Sequence, residues 1–230
     1  MRLRRAKDRG ATRFDWLTSH HSFAFGDYHD PQWLGWSALR VLNDDHVVPG
    51  GGFGAHAHKN MEIVTYVVSG AIAHQDSMGN ETRLNAGELQ RMSAGTGITH
   101  SEYNASPEEP LHFFQIWITP DSDGTAPEYE QTRVEPITIQ GHFQAVVTPD
   151  GRGRTLSIHQ DAFMYLARLR PGTLATRTIE AERVGYLHVI SGLVRVGRSV
   201  LSAGDGACLT DGGVSVRAVY DAHVMLFDLP

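Results

Sequence analysis

With 230 residues and 41% apolar side chains, the chain has the material for one large or two small hydrophobic cores. A net charge of −6 and a pI near 6.1 argue against a broad electropositive face for nucleic acid or an anionic membrane. One cysteine, Cys208, excludes an intrachain disulfide framework and points to simple burial in a cytoplasmic setting, and no apolar run approaches the ~18 residues of a membrane-spanning helix.

Residues 1–10 are basic but lack the apolar centre of a secretory signal, so they read as a solvated start able to join an edge strand. Residues 14–29 mix aromatics with His20, His21 and His29. The aromatics would cover a barrel, with the histidines at the surface or hydrogen-bonded; the alternative is that the histidines line a pocket entrance. Asp30-Pro31 marks a turn, residues 36–42 a strand, Asn43-Asp44-Asp45 a hairpin turn and residues 46–48 its return. The glycine-rich run 49–54 lacks the Lys-Ser/Thr of a phosphate loop and no helical pattern follows it. It reads as a flexible approach that lets the next residues turn inward.

Those residues are His56 and His58, and later His100 and Glu102. Positions i and i+2 of a strand project from one face, so each pair can enter a common cavity. Imidazole and carboxylate donors suit Fe(II), Mn, Co, Ni, Cu or Zn better than Ca or Mg, which prefer oxygen alone. Between the pairs, residues 61–68 form a β-branched strand stopping at Ser69-Gly70, residues 71–75 lead to a hairpin loop at 76–80, and 88–92 alternate before the segment 93–97. Residues 111–118 close the unit as a strong strand on which His112, read as structural, and Gln115 fall on opposite faces.

The polar stretch 121–135 reads as a linker between a first unit at 1–120 and a second at 136–230. A faint internal repeat supports two units: Val67-Val-Ser-Gly70 is echoed by Val189-Ile-Ser-Gly192, and Leu84-Asn-Ala-Gly-Glu88 by Leu201-Ser-Ala-Gly-Asp205. The copy lacks the metal set, since Val214-Ser-Val-Arg-Ala218 stands where His-x-Glu would be wanted and His188 and His223 are isolated. Short strands broken by glycine about every eight to twelve residues predict an all-β fold of double-sheet barrels or jelly rolls.

Gly50-x5-His56-x-His58-x3-Glu62-x7-Gly70 resembles the first cupin motif, and Gly87-x5-Ser93-x-Gly95-x4-His100-x3-Asn104 a loosened second one. HAHKNMEIVTYVVSG, HQDSMGN, MSAGTGITHSEYN and LHFFQIWITP, with His20-His-Ser-Phe-Ala-Phe25 upstream, resemble the pirin family, including bacterial members described as quercetin 2,3-dioxygenases. The resemblance implies a bicupin with metal ligands His56, His58, His100 and Glu102 and iron as the first-choice metal. It implies a flavonol-like aromatic polyol and O2 as substrates, with Glu102 as the base. Many cupins take their carboxylate from the position of Glu62, and spacing alone does not choose between Glu62 and Glu102. The family also implies an alternative, an iron-binding regulatory protein with a protein partner and no flavonol turnover. Other cupin activities, such as isomerase or sugar-binding roles, form a third class.

Overall fold

Strand alternation sorts the chain into two pairs of sheets. The computed structural model describes residues 1–230, and its only helices are two short 3-10 turns, Ala6–Asp8 and Pro136–Ile139. In the first half a seven-stranded sheet runs in the order Glu128–Arg133, Glu88–Ser93, Glu62–Ser69, Leu111–Ile118, Leu39–Val47, Leu17–His21, Gly10–Phe14. It faces a four-stranded sheet, Gly52–His58, Ile98–Asn104, Ala71–Asp76, Glu81–Asn85. The second half repeats the plan. Its seven-stranded sheet is Arg2–Arg4, Gly206–Leu209, Val184–Ser191, Ala222–Leu229, Phe163–Leu169, Gln144–Thr148, Leu156–Ser157, opposite Leu174–Ile179, Gly212–Ala218, Leu193–Val196, Ser199–Ser202. This is the all-β, two-cup architecture expected of a bicupin.

The two large sheets are buried on both faces. Along Glu62–Ser69, Val64 and Tyr66 enter a core of 25 buried residues shared by both halves, while Ile63 and Val67 turn into the first cup. Along Leu111–Ile118, Phe114 and Ile116 join the shared core and Phe113 the cup. The second cup is filled by one apolar cluster of 18 residues. In the first cup the apolar side chains split into clusters of seven and four. Between them the polar residues Thr65, His74, Gln90, His100, Glu102 and Gln115 are buried. A filled cup is scaffold, whereas a cup with a polar centre can hold a ligand.

The repeat is structural as well. Gly70 and Gly192 follow equivalent strands with φ of +79° and +87°, which favours glycine, and a Cβ on Gly70 would meet the Pro110 carbonyl oxygen at 2.6 Å.

Three stretches differ from or refine the sequence expectation. Asn43-Asp44-Asp45 is no turn but the middle of the nine-residue strand Leu39–Val47. Asn43 and Asp45 face the polar cup and Asp44 pairs with Arg9 and His112, so specific partners override the low β propensity of these residues. The stretch read as a linker carries the strand Glu128–Arg133, paired to Glu88–Ser93. It lacks apolar periodicity because ions hold it: the buried Arg91 guanidinium binds Glu128 and Glu130 at 3.0 Å each and also donates to Ser157 of the second half. The basic start joins an edge strand, that of the second half, where Arg2–Arg4 pairs with Gly206–Leu209 and the Arg2 guanidinium lies 4.0 Å over the Trp33 ring. Cys208 is buried in the shared core, which pushes its thiol up to about 12 and leaves it inert.

Candidate metal centre

The strands Gly52–His58 and Ile98–Asn104 run antiparallel with His56 opposite His100, and the register slips so that Glu102 opposes Phe53. The extra residue bends the first strand over the second. Contact there is tight enough that a Cβ on Gly52 would lie 2.5 Å from the Glu102 carbonyl and the Tyr103 Cα. The glycine run therefore serves close backbone approach as well as turning.

The consequence is convergence of three imidazoles. Their centroids are 4.8 Å (His56–His58), 4.5 Å (His56–His100) and 4.9 Å (His58–His100) apart, and one nitrogen from each lies within 4.8 Å of the others. His56 Nδ1 donates to the Gly54 carbonyl at 2.8 Å, which leaves its Nε2 as a lone-pair acceptor 3.1 Å from His100 Nε2. Burial, then the neighbouring imidazoles, pushes His58 down to about 4 and His100 down to about 3. These rings are neutral at physiological pH and offer lone pairs. Imidazole nitrogens facing one another in a half-buried cup fit a shared transition-metal ion.

Glu102 lies on the same face as His100 and is held at both oxygens. Gln90 Nε2 donates to Oε1 at 2.7 Å, Gln115 Nε2 to Oε2 at 2.7 Å, and the Thr65 hydroxyl to Oε1 at 3.3 Å. Its ligand-capable oxygen groups with His100 and His74, so two sets of three share His100. Glu62 lies elsewhere. It occupies the face of its strand shared with Val64 and Tyr66, accepts from Ser93 Oγ at 2.8 Å, and sits 3.6 Å from the His159 ring of the second half. The sequence spacing left both carboxylates open; in the fold only Glu102 points into the cup.

His74 was missed by the sequence reading. It pairs across the strand with Glu102, is buried, and bonds Asp76 through Nε2 at 3.2 Å. Its signal was there in the alternation Ile72, His74, Asp76, masked by the hairpin reading of 76–80.

Profile comparison gives two matches. The family model described as Pirin matches residues 2–118, and one described as Quercetinase C-terminal cupin domain matches residues 145–229. The chain belongs to the pirin family. A protein named Quercetin 2,3-dioxygenase from Escherichia coli K12 is 47% identical over 229 residues, covering 99% of this chain and 98% of that protein. A Pirin-like protein from Caulobacter vibrioides is 41% identical, covering 95% of each. Among solved structures, the bacterial pirin YhhW of Escherichia coli in complex with nickel(II) superposes with a TM-score of 0.95 at 46% identity, covering 100% of this chain and 98% of that one.

Above the imidazoles this pirin has a cavity of about 250 Å3, walled by Phe25, Phe53 and Trp117 and edged by His21, Asn43 and Asp45. His21 is thus the histidine of the 14–29 stretch that lines a pocket, its Nδ1 2.8 Å from Asn43 Oδ1; His20 lies on the opposite face of its strand and His29 is exposed. A wider groove of about 510 Å3, lined by Arg168, Arg170 and His223 among others, holds no group of metal-ligating side chains.

Asp45 is buried with Oδ1 unpartnered, and burial pushes its carboxyl up to about 7 from 3.8. A raised folded value means that the protonated form stabilises the fold fully below about pH 4 and that this contribution is lost as pH rises through 7. Chelator-treated Asp45→Asn protein should therefore be more stable than wild type at pH 8, by about 2–4 kcal/mol, and the gap should close toward pH 4. Melting curves across that range check it; a gap independent of pH contradicts it.

Proposed function

We propose that this pirin is a cytoplasmic metal-dependent dioxygenase that opens a flavonol ring with O2, holding a divalent transition metal through His56, His58, His100 and Glu102. The observation that carries the reading is the convergence of three imidazoles, with a doubly anchored carboxylate beside His100, beneath an aromatic-walled cavity. The nickel-bound structure of a relative at 46% identity supports nickel as readily as the resemblance supports iron, and Co, Mn, Cu or Zn suit the same donors. The ion, when bound, supplies Lewis acidity toward a substrate oxygen.

The chain's own residues do the rest. Phe25, Phe53 and Trp117 pack a planar aromatic, and the buried Trp117 Nε1, without a partner, is a donor available to a substrate oxygen. Trp117 also stands edge-on to His58 at 4.9 Å and fixes that ring. Glu102 accepts the proton of the flavonol 3-hydroxyl, while Gln90, Gln115 and Thr65 keep its oxygens aimed and solvate the charge. His56 is held in one tautomer by the Gly54 carbonyl.

The test is oxygen uptake with quercetin. Metal-loaded wild type should consume O2, and Glu102→Gln should be slowed by about 10²-fold or more. Equal rates for the two proteins contradict the role of Glu102. Metal-loaded protein that leaves quercetin intact returns the chain to the iron-binding regulatory reading.

A further inference from the structure

We propose a second transition-metal site in this chain, made by Asp44, His46 and His112 on the opposite face of the seven-stranded sheet from the cup. His46 and His112 are directly opposed on neighbouring antiparallel strands, and Asp44 lies two residues before His46 on the same face. Directly opposed residues have Cβ atoms about 5 Å apart, close enough for two imidazoles to share an ion. The rings stack at 4.0 Å and 14°, with both Nε2 atoms turned to one carboxylate oxygen: His112 Nε2 is 2.7 Å and His46 Nε2 3.5 Å from Asp44 Oδ1. The three ligand atoms lie within 4.8 Å of one another, as in the cup.

The surroundings hold Asp44 with Oδ1 toward the two rings. Arg9 occupies the other oxygen, 3.2 Å from Oδ2, which orients the carboxylate and partly offsets its charge. Toward the shared core, His188 is fully buried, stands edge-on to Phe114 at 5.2 Å, and has no hydrogen-bond partner on either ring nitrogen. On the outer side the His46 side chain is 52% exposed, so an ion has a path in. Binding replaces the His112 N–H···Oδ1 contact: each ring presents Nε2 as a lone pair and carries its proton on Nδ1. Two imidazoles and one carboxylate suit Zn(II), Cu(II) or Ni(II), with a remaining position for water. Because Arg9 repels the ion, this site binds more weakly than the cup.

Zn(II) titration of chelator-treated full-length protein, read by competition with a chromophoric chelator, tests the site independently of any activity. Wild type should take up a tight and a weaker equivalent. His46→Ala should lose the weaker and keep the tight one, His56→Ala/His58→Ala should lose the tight one and keep the weaker, and the exposed-histidine control His29→Ala should keep both. One equivalent in wild type, or a weaker equivalent that survives His46→Ala or disappears in His29→Ala, overturns the proposal. Loss of the tight equivalent alone bears on the cup and leaves this site standing.

Discussion

Alanine at both His58 and His100 should abolish tight metal uptake in the cup and take flavonol-dependent oxygen consumption to background. The double variant removes two of three converging imidazoles and leaves His56 and Glu102 on different strands. Four-ligand metal sites are worth on the order of 10 kcal/mol or more, so losing half the donors should weaken binding on the order of 10³-fold or more. The fold should persist, because the seven-stranded wall of the cup stands on the shared 25-residue core and the four-stranded wall packs against it through Ile72, Leu84 and Ile98 rather than through the histidines. Metal content after dialysis against a weak chelator, with circular dichroism as the folding control, measures both. A folded variant that retains wild-type metal affinity in the cup contradicts the assignment.

Phe114→Ala should destabilise the whole molecule by about 3–5 kcal/mol. Phe114 is fully buried at the seam between the two large sheets, 5.2 Å from the His188 ring and 5.5 Å from the His112 ring. The seam holds the largest apolar cluster, larger than the interior of either cup, so the halves have little reason to unfold separately. Denaturant unfolding followed by tryptophan fluorescence and far-ultraviolet dichroism should give one coincident transition, shifted to lower denaturant in the variant. Two separated transitions, with only one of them moved, would show that the seam does not couple the halves.

How much of this was legible in the sequence depends on whether a signal was local. His56 and His58 share a strand face, as do His100 and Glu102, because alternation along a strand is a local rule, and the strand Leu111–Ile118 with its opposed His112 and Gln115 follows from the same rule. The repeat of Ser69-Gly70 in Ser191-Gly192 points to a second copy of the unit without the metal set, but that its interior is filled by one apolar cluster shows only in the fold. What escaped depends on partners distant in sequence. Asn43-Asp44-Asp45 looks like a turn until Arg9, His112 and the polar cup are placed around it. Glu62 and Glu102 are equivalent by spacing and separate only when Ser93 and the His159 ring are seen to claim Glu62 on the other face of its sheet. The Glu128–Arg133 strand carries no apolar stripe, since Arg91 holds it from a neighbouring strand.

The most direct measurement is anomalous diffraction at the absorption edge of the metal carried by the purified protein. A peak about 2.1 Å from His56 Nε2 and coordinating nitrogens of His58 and His100, with a Glu102 oxygen at similar range, is the result expected here. A peak bound instead by Glu62, or a cup without a peak in protein crystallised under saturating metal, would contradict the central claim.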